Sequence, residues 1–299
     1  MYYRKYFSGV VDTLMSTLNE TYTPAVGMGG STQLHYRSMV TTPILCNAIV
    51  EVLREIGLTE AVCSLNPSEP DTYGEIFPYG PGTQGFHVFS GNANLNNLHN
   101  MFKVTIGPDS DINALRSQTA SSGINVSFNM LKSTTGTDVP YQFYVIVKGD
   151  PVSFLQVLVS SYSTLDTETE LMRFGKGKDC FGNSIVGYSQ CGPGTNLFFF
   201  NLERKTYVNQ ITPVSVISDS AVVSGRAETS IKGCPADTVA LIPWCYKPLL
   251  GVTLDNCYCV PTSLTTSNAD QAFLINGEEY WLLWNGGILA RCSTKLPVS

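Results

Sequence analysis

Two glycine-containing turns, Asn276-Gly277 and Asn285-Gly286-Gly287, divide residues 272–292 into three short apolar runs. An Asn-Gly pair supplies the positive φ angles of a tight two-residue hairpin turn, and such a turn joins antiparallel strands. The runs are residues 272–275, 278–284 and 288–292. The sequence therefore predicts a three-stranded antiparallel meander, which commits this part of the chain to a β fold.

Short apolar runs separated by Gly, Pro, Asn and Ser continue the same pattern back toward Glu170. They cover residues 185–188, 196–202, 213–217, 221–223, 239–243 and 249–254. Many short strands with regular turn signals are typical of an antiparallel sandwich or barrel. We therefore expect residues 166–299 to form an all-β region, an antiparallel β sandwich or barrel that ends in the meander.

A helix is predicted at about residues 43–56. Thr42 is a favourable N-cap, Pro43 suits the first helical position, and Gly57 can adopt the left-handed conformation that closes a helix. One apolar stripe runs along it, formed by Leu45, Ile49, Val52, Leu53 and Ile56. This stripe predicts one buried helix face. A weaker amphipathic pattern over residues 8–20 predicts a second helix.

The other segments of the N-terminal half are of mixed type. Alternating apolar residues predict strands at 124–130 and 141–147, and a capped short helix fits 111–117. Residues 150–162 suit either a capped helix or a buried strand. Residues 66–100 are rich in Pro, Gly and Asn and also carry several aromatic residues. We interpret them as an ordered excursion or a mobile arm, and the aromatic residues favour an arm that packs on another surface.

These patterns together predict an α+β, β-rich fold class. The N-terminal half, residues 1–165, is expected to be a mixed α/β region with a few helices, and residues 166–299 form the all-β region. The boundary between the two regions falls between Ser163 and Lys178, although no clean linker marks it. One continuous domain is the alternative division.

Charged side chains make up only 14% of the chain, and the net charge is −6. An average soluble protein has about 25% charged residues, so Ser, Thr and Asn must supply much of the polar surface here. No block of Lys and Arg exceeds two residues, and direct nucleic-acid binding is disfavoured because it needs a basic stripe that neutralises phosphates. A weakly charged surface instead permits broad contacts between copies.

Motifs for catalysis or ligand binding are weak. On a strand, Asp166, Glu168 and Glu170 would share one face, where they could bind Ca²⁺ or raise each other's pKa; a solvated edge is the simpler interpretation. The glycines of 175–178 and 27–31 lack the spacing of a phosphate-binding loop, so both segments are expected to be ordinary loops. Trp244, Trp281 and Trp284 could offer stacking surfaces for a ligand.

The nine cysteines and three histidines do not form a recognisable site. The one short pair, Cys257-Tyr-Cys259, does not have zinc-site spacing, and all three histidines lie in the other half. An odd cysteine number favours reduced thiols, with disulfides after residue 179 as the alternative. The sequence predicts no catalytic, cofactor-binding or metal-ligating residue. It also shows no secretory signal and no apolar run long enough to span a membrane.

Two hypotheses for function follow. In the first, the chain is a non-enzymatic structural subunit of a large assembly, such as a virus or bacteriophage virion, and it contacts copies of itself and other structural proteins. Its location would then be the virion, assembled in the host cytoplasm; a cytoplasmic location is the alternative. Contacts are expected from the arm at 66–100, an N-terminal helix and exposed sheet edges, which can accept strands from neighbours. In the second, the chain is a ligand- or glycan-binding β module, or an enzyme whose site is scattered along the sequence.

Overall fold

A computed structural model describes about half of the chain. The described residues are 1–11, 41–65, 73–90, 101–105, 124–125, 139–161, 168–190, 198–204, 206–207, 226–227, 243–246, 252–258, 260–261, 272–275, 277–283 and 288–292. They contain one helix and nineteen strands, so the protein is β-rich.

The helix, α1, spans Thr41–Glu55. One strand precedes it in the chain and the others follow it. In chain order the strands are β1 (Tyr2–Val11), β2 (Val62–Leu65), β3 (Tyr73–Phe77), β4 (Phe86–Ser90), β5 (Met101–Thr105), β6 (Ile124–Asn125), β7 (Val139–Gly149), β8 (Phe154–Ser161), β9 (Glu168–Lys178), β10 (Ser184–Gln190), β11 (Phe198–Asn201), β12 (Thr206–Tyr207), β13 (Arg226–Ala227), β14 (Pro243–Tyr246), β15 (Val252–Tyr258), β16 (Val260–Pro261), β17 (Ala272–Ile275), β18 (Glu278–Leu283) and β19 (Ile288–Arg291).

Most of the described strands belong to one large antiparallel sheet. Its main path runs β1-β7-β8-β9-β15-β19-β18-β17, with β10, β11 and β12 branching from β9 and β14 pairing with β15. The path joins strands from both of the regions distinguished by sequence. The long antiparallel partners β1 and β7 pair over the full length of β1, from Tyr2 opposite Lys148 to Val11 opposite Val139.

The large sheet is strongly curled. Six strand steps separate β1 from β18 along the path, which would place them ~29 Å apart in a flat sheet. Yet the Tyr2 ring of β1 stacks on the Trp281 ring of β18, with centroids 6.2 Å apart. Ser153 also donates a hydrogen bond to the carbonyl of Arg291, from the β7–β8 turn to β19. The far strands therefore fold back over the concave face of β1, β7 and β8.

A small sheet and α1 cover the other face of the large sheet. The small sheet has the order β2-β3-β4-β5-β6, and α1 contacts β2, β3, β4 and β7. The core between these layers combines helix residues such as Ile49 and Leu53 with Phe86 and Val88 of the small sheet and Val157 of the large one. Burial of these side chains drives the two layers together.

The helix and the meander confirm the sequence predictions. All five residues of the apolar stripe on α1 are buried. Gly57 follows the helix with a φ of 110°. The three runs between 272 and 292 form β17, β18 and β19, which pair as consecutive antiparallel strands with Gly277 in the first turn at φ 81°. Strands predicted at 141–147 and 185–188 are confirmed as parts of β7 and β10.

Two other predictions are wrong. Residues 8–11 belong to strand β1 and not to a helix, because pairing with β7 extends the ladder to Val11. Residues 175–178 form the end of β9 and not a loop. In both cases strand pairing overrides the local pattern. Within the segment 66–100, which the sequence predicts to pack on another surface, β3 and β4 pair with each other and Phe86 is fully buried.

The ambiguous and partial predictions are resolved where the structure describes them. Residues 150–153 form a turn, and β8 follows as a strand with both faces buried. Only Ile124–Asn125 of the strand predicted at 124–130 is described. The short helix at 111–117, the runs at 213–217 and 221–223, and most of the pattern at 8–20 lie outside the described residues.

Candidate functional site

Strand β1 lies at one end of the described strand order and presents large polar and aromatic side chains on one face. Tyr2, Arg4, Tyr6 and Ser8 alternate along this face and are all exposed, with 43% of Tyr2 and 41% of Tyr6 accessible to solvent. The alternation follows from the two-residue period of a strand. Tyr and Arg are the residue types that carry most binding energy at protein interfaces.

Two residues from other strands extend this row. Tyr144 of β7 lies opposite Tyr6, with ring centroids 5.1 Å apart, and the Arg4 guanidinium carbon sits 3.7 Å from the Tyr144 ring centroid. Trp281 of β18 stacks on Tyr2 at an interplanar angle of 17°. We name this group, Tyr2, Arg4, Tyr6, Tyr144 and Trp281, the β1 patch. Its stacking and cation–π contacts hold the side chains in place before any partner binds.

A polar network lies beside the patch on the same face. Lys148 of β7 forms a short ion pair with Glu168 of β9, reaching across β8. Tyr2 donates a hydrogen bond of 3.3 Å to the other oxygen of Glu168. Partial burial and then the Glu168 carboxylate raise the pKa of Tyr2. The phenol therefore stays protonated and continues to donate to Glu168 at neutral pH.

A buried ion pair continues the network along β9. Arg173 contacts Glu170 through two guanidinium nitrogens, one of them at 2.8 Å, and Gln156 of β8 donates to the same carboxylate at 3.3 Å. Residues three apart normally point to opposite faces of a strand. Here the register shifts by one residue at Leu171, between the pairs Val157–Met172 and Leu158–Glu170. This β-bulge brings both charges to the same face.

The charged groups beside the β1 patch are paired with each other. Glu168 and Glu170 each face a cation. The exposed groups beside them are aromatic rings and one arginine, which stack and donate hydrogen bonds without any bond-making step. The β1 patch is therefore suited to recognition of another surface.

The opposite face of β1 is tied to α1. The Lys5 ammonium lies 2.6 Å from Glu51 and also pairs with Glu55, to which Tyr3 donates a hydrogen bond. Hydrogen bonds to Glu51 and then to Glu55 raise the pKa of Lys5. Partial burial opposes ionisation of Glu55, but hydrogen bonds from Lys5 and Tyr3 outweigh it and lower the pKa of that carboxyl.

The residues singled out in the sequence are placed in different surroundings. Glu168 and Glu170 share one face of β9, as alternation on a strand requires, and each is ion-paired; Asp166 lies outside the described residues. Trp244 is only 2% exposed and belongs to the core with Val252 and Leu254, so it offers no ligand surface. Trp281 joins the β1 patch, and Trp284 lies outside the described residues.

Residues 175–178 have a packing role. A Cβ atom on Gly175 would lie 2.3 Å from the carbonyl oxygen of Ser153, and one on Gly177 would lie 1.9 Å from that of Thr253. Both glycines therefore allow close approach of a neighbouring backbone. The Gly-Lys-Gly-Lys run has no role here as a phosphate-binding loop.

Three thiols and one histidine in the described part of the chain are buried. Cys46, Cys63, Cys180, Cys257 and Cys292 are free thiols. Burial raises the pKa of Cys46 and Cys257, and it raises that of Cys292 to about 11, so these thiols are protonated and weakly nucleophilic at neutral pH. His87 is buried in the small sheet, with its Nδ1 2.8 Å from Glu75 on the paired strand.

The residues of the β1 patch do not form a recognisable motif in the sequence. The available signal was the alternation of residues 2–8, in which every second position is Tyr, Arg or Ser. The amphipathic pattern over residues 8–20 hid this signal, because it favoured a helix at the same place. Tyr144 and Trp281 are distant in sequence, so only the curl of the sheet brings them to the row.

Searches for metal sites, membrane helices and relatives each gave a negative result. Among the residues that the structure describes, no three His, Cys, Asp or Glu side chains group closely enough to hold a metal ion. In the same part of the chain, no helix has the length and apolar character to span a membrane. No protein-family model matches the chain, and no curated protein or solved structure shows significant similarity to it.

Proposed function

We propose that this chain is a structural subunit of a large protein assembly, of the kind that builds a virus or bacteriophage particle. Its partners would be copies of itself and other structural proteins, and its location would be the virion, assembled in the host cytoplasm. The observation that carries the proposal is the β1 patch, which lies on a strand at one end of the described strand order. Exposed Tyr and Arg side chains and the partly buried Trp281, already ordered by mutual contacts, form the type of surface that binds another protein.

The charge distribution supports the same role. The chain has few charged residues and a net charge of only −6. Lys148 is paired with Glu168, and Arg173 is paired with Glu170. Little electrostatic repulsion therefore opposes close contact between copies. The curled antiparallel sheet provides a frame for the contact surface.

Light scattering coupled to size-exclusion chromatography tests the proposal. The wild-type chain is measured over a wide concentration range, alone and co-expressed with the products of neighbouring genes. We expect species larger than a monomer that grow with concentration or with a co-expressed partner. A compact monomer under every condition would contradict the proposal.

A matched pair of variants tests whether the β1 patch is responsible. Tyr6→Ser removes an exposed aromatic side chain of the patch. Phe181→Ser removes an exposed aromatic side chain elsewhere, from the turn between β9 and β10, where Phe181 is 85% exposed. We expect Tyr6→Ser to weaken assembly at least tenfold and Phe181→Ser to leave it unchanged. Equal effects of the two variants would show that the contact lies outside the patch.

A ligand-binding role is the second candidate, supported by the stack of Tyr2 and Trp281 beside the Glu168 carboxylate. Aromatic faces next to a hydrogen-bonding carboxylate are suited to sugar rings. A glycan array tests this candidate. Specific binding that is lost in Trp281→Ala would favour it over the assembly role.

A further inference from the structure

We propose that the partner of the β1 edge is the β1 edge of a second copy, added antiparallel about a two-fold axis at Lys5. This inference rests on the assembly role proposed above and names its partner and register. Two large sheets would then join into one continuous sheet across the axis. Such pairing uses the backbone for affinity and the side chains for register.

The backbone pairing decides which groups of β1 face the partner. The Met1 and Gly149 backbones exchange two hydrogen bonds, of 2.9 and 3.0 Å, so this pair is a hydrogen-bonded pair of the antiparallel ladder. Hydrogen-bonded pairs recur at every second residue. The odd-numbered residues of β1 therefore bond to β7, and the even-numbered residues direct their N–H and C=O groups away from it.

Charge selects the register of the second copy. When Lys5 lies on the axis, Arg4 of each copy lies opposite Tyr6 of the other, which repeats the cation–π contact that Arg4 already makes with Tyr144. Tyr2 then lies opposite Ser8. A shift of the axis to Arg4 would place two guanidinium groups directly opposite each other, and like charges in this position are destabilising.

The other face of the strand fits the same register. The two Lys5 side chains would lie opposite each other on the axis, but each is already paired with both Glu51 and Glu55. Each copy therefore brings two carboxylates and one ammonium group to this place. The excess of negative charge in one copy attracts the lysine of the other.

Cysteine cross-linking tests the partner and the register together. In the proposed register, position 5 forms a non-hydrogen-bonded pair with itself, with Cα atoms ~4.5 Å apart, which is within the range that a disulfide spans. We expect Lys5→Cys to form a covalent dimer under mild oxidation, with the position-5 peptides joined to each other by mass spectrometry. Tyr3→Cys is the control, because position 3 would lie ~13 Å from its own copy.

Tyr6→Cys reports on the neighbouring register, in which position 6 lies on the axis. Efficient linkage of Tyr6→Cys or Tyr3→Cys, with none of Lys5→Cys, would overturn the proposed register. If larger assemblies form but none of the three variants cross-links, β1 does not pair with itself, while the assembly role stands. A chain that is monomeric under every condition contradicts both proposals.

A proline substitution gives a second readout without a thiol. The Ser8 N–H points away from β7, so Ser8→Pro removes no hydrogen bond from the β1–β7 ladder but does remove one from the proposed contact. We expect Ser8→Pro to weaken dimerisation at least tenfold, with the circular dichroism spectrum and melting temperature of the isolated chain retained. Ser8→Ala is the matched control and should dimerise as the wild type does. Equal dimerisation of Ser8→Pro and Ser8→Ala would overturn the proposal.

Discussion

Gly177→Ala should disrupt the pairing of β9 with β15 in the main path of the large sheet. The built Cβ atom lies 1.9 Å from the carbonyl oxygen of Thr253, where ordinary contact begins at 3.4 Å, so the strands must separate by about 1.5 Å. Among the described residues, two pairs join β9 to β15, Thr253–Lys178 and Leu254–Gly177. Lengthening their hydrogen bonds by this amount takes them beyond bonding distance.

The expected cost follows from that geometry. Losing two ladder hydrogen bonds and leaving their buried groups unsatisfied costs about 1–3 kcal/mol each, so we expect a loss of about 3 kcal/mol or more. Gly182→Ala is the control. Gly182 has a φ of 83° but nothing within 4 Å of a built Cβ, so its cost is only the backbone strain of about 1–2 kcal/mol.

Chemical denaturation of the two variants gives the free energies, and hydrogen–deuterium exchange locates the change. We expect β9 and β15 peptides to exchange faster in Gly177→Ala, while peptides of α1 keep their protection. The reasoning is refuted if Gly177→Ala is no less stable than Gly182→Ala, or if the extra exchange appears far from the β9–β15 pair.

Substitutions at three further places probe the core, the buried ion pair and the contact between β1 and α1. Ile49→Ala removes a fully buried side chain of α1 and should cost about 2–5 kcal/mol in denaturant unfolding. Arg173→Met leaves the Glu170 carboxylate buried without its cation and should cost about 3–5 kcal/mol, whereas adding Glu170→Leu to it should restore most of the stability, which a double-mutant cycle would measure. Because the folded protein lowers the pKa of Glu55, this carboxylate stabilises the fold above the pKa of an unfolded glutamate, and the contribution is lost as the pH falls through the folded value. The stability gap between wild type and Glu55→Gln should therefore be present at pH 7 and close toward pH 3; a gap that widens on acidification would contradict the assignment.

Local signals predicted those elements whose pattern and packing agree. The helix α1 has a cap, a single apolar stripe and a closing glycine, and its stripe is buried as the spacing requires. The meander was equally predictable because the Asn276-Gly277 turn dictates antiparallel pairing of its neighbours. In both cases a short stretch of chain contains the signals for the element, so the element could be predicted without knowledge of any distant contact.

Other segments take their structure from strand pairing and packing that the local pattern does not show. Residues 8–11 carry an amphipathic pattern, yet they extend β1 because β7 supplies a matching ladder. Residues 73–90 are rich in turn signals, but β3 and β4 pair with each other and pack under α1. A register shift at Leu171 cannot be recognised from the sequence around Glu170 and Arg173 either, although it creates their ion pair.

The candidate site divides in the same way. The sequence by itself determined a β-rich chain of low charge and the row of Tyr2, Arg4 and Tyr6 at alternate positions, because a strand period of two is a local property. Only the tertiary structure decided that this row lies on a strand at one end of the described strand order and that Tyr144 and Trp281 extend it. The reason is that edge position and the curl of a sheet depend on which distant strands pair, and no short segment encodes that choice.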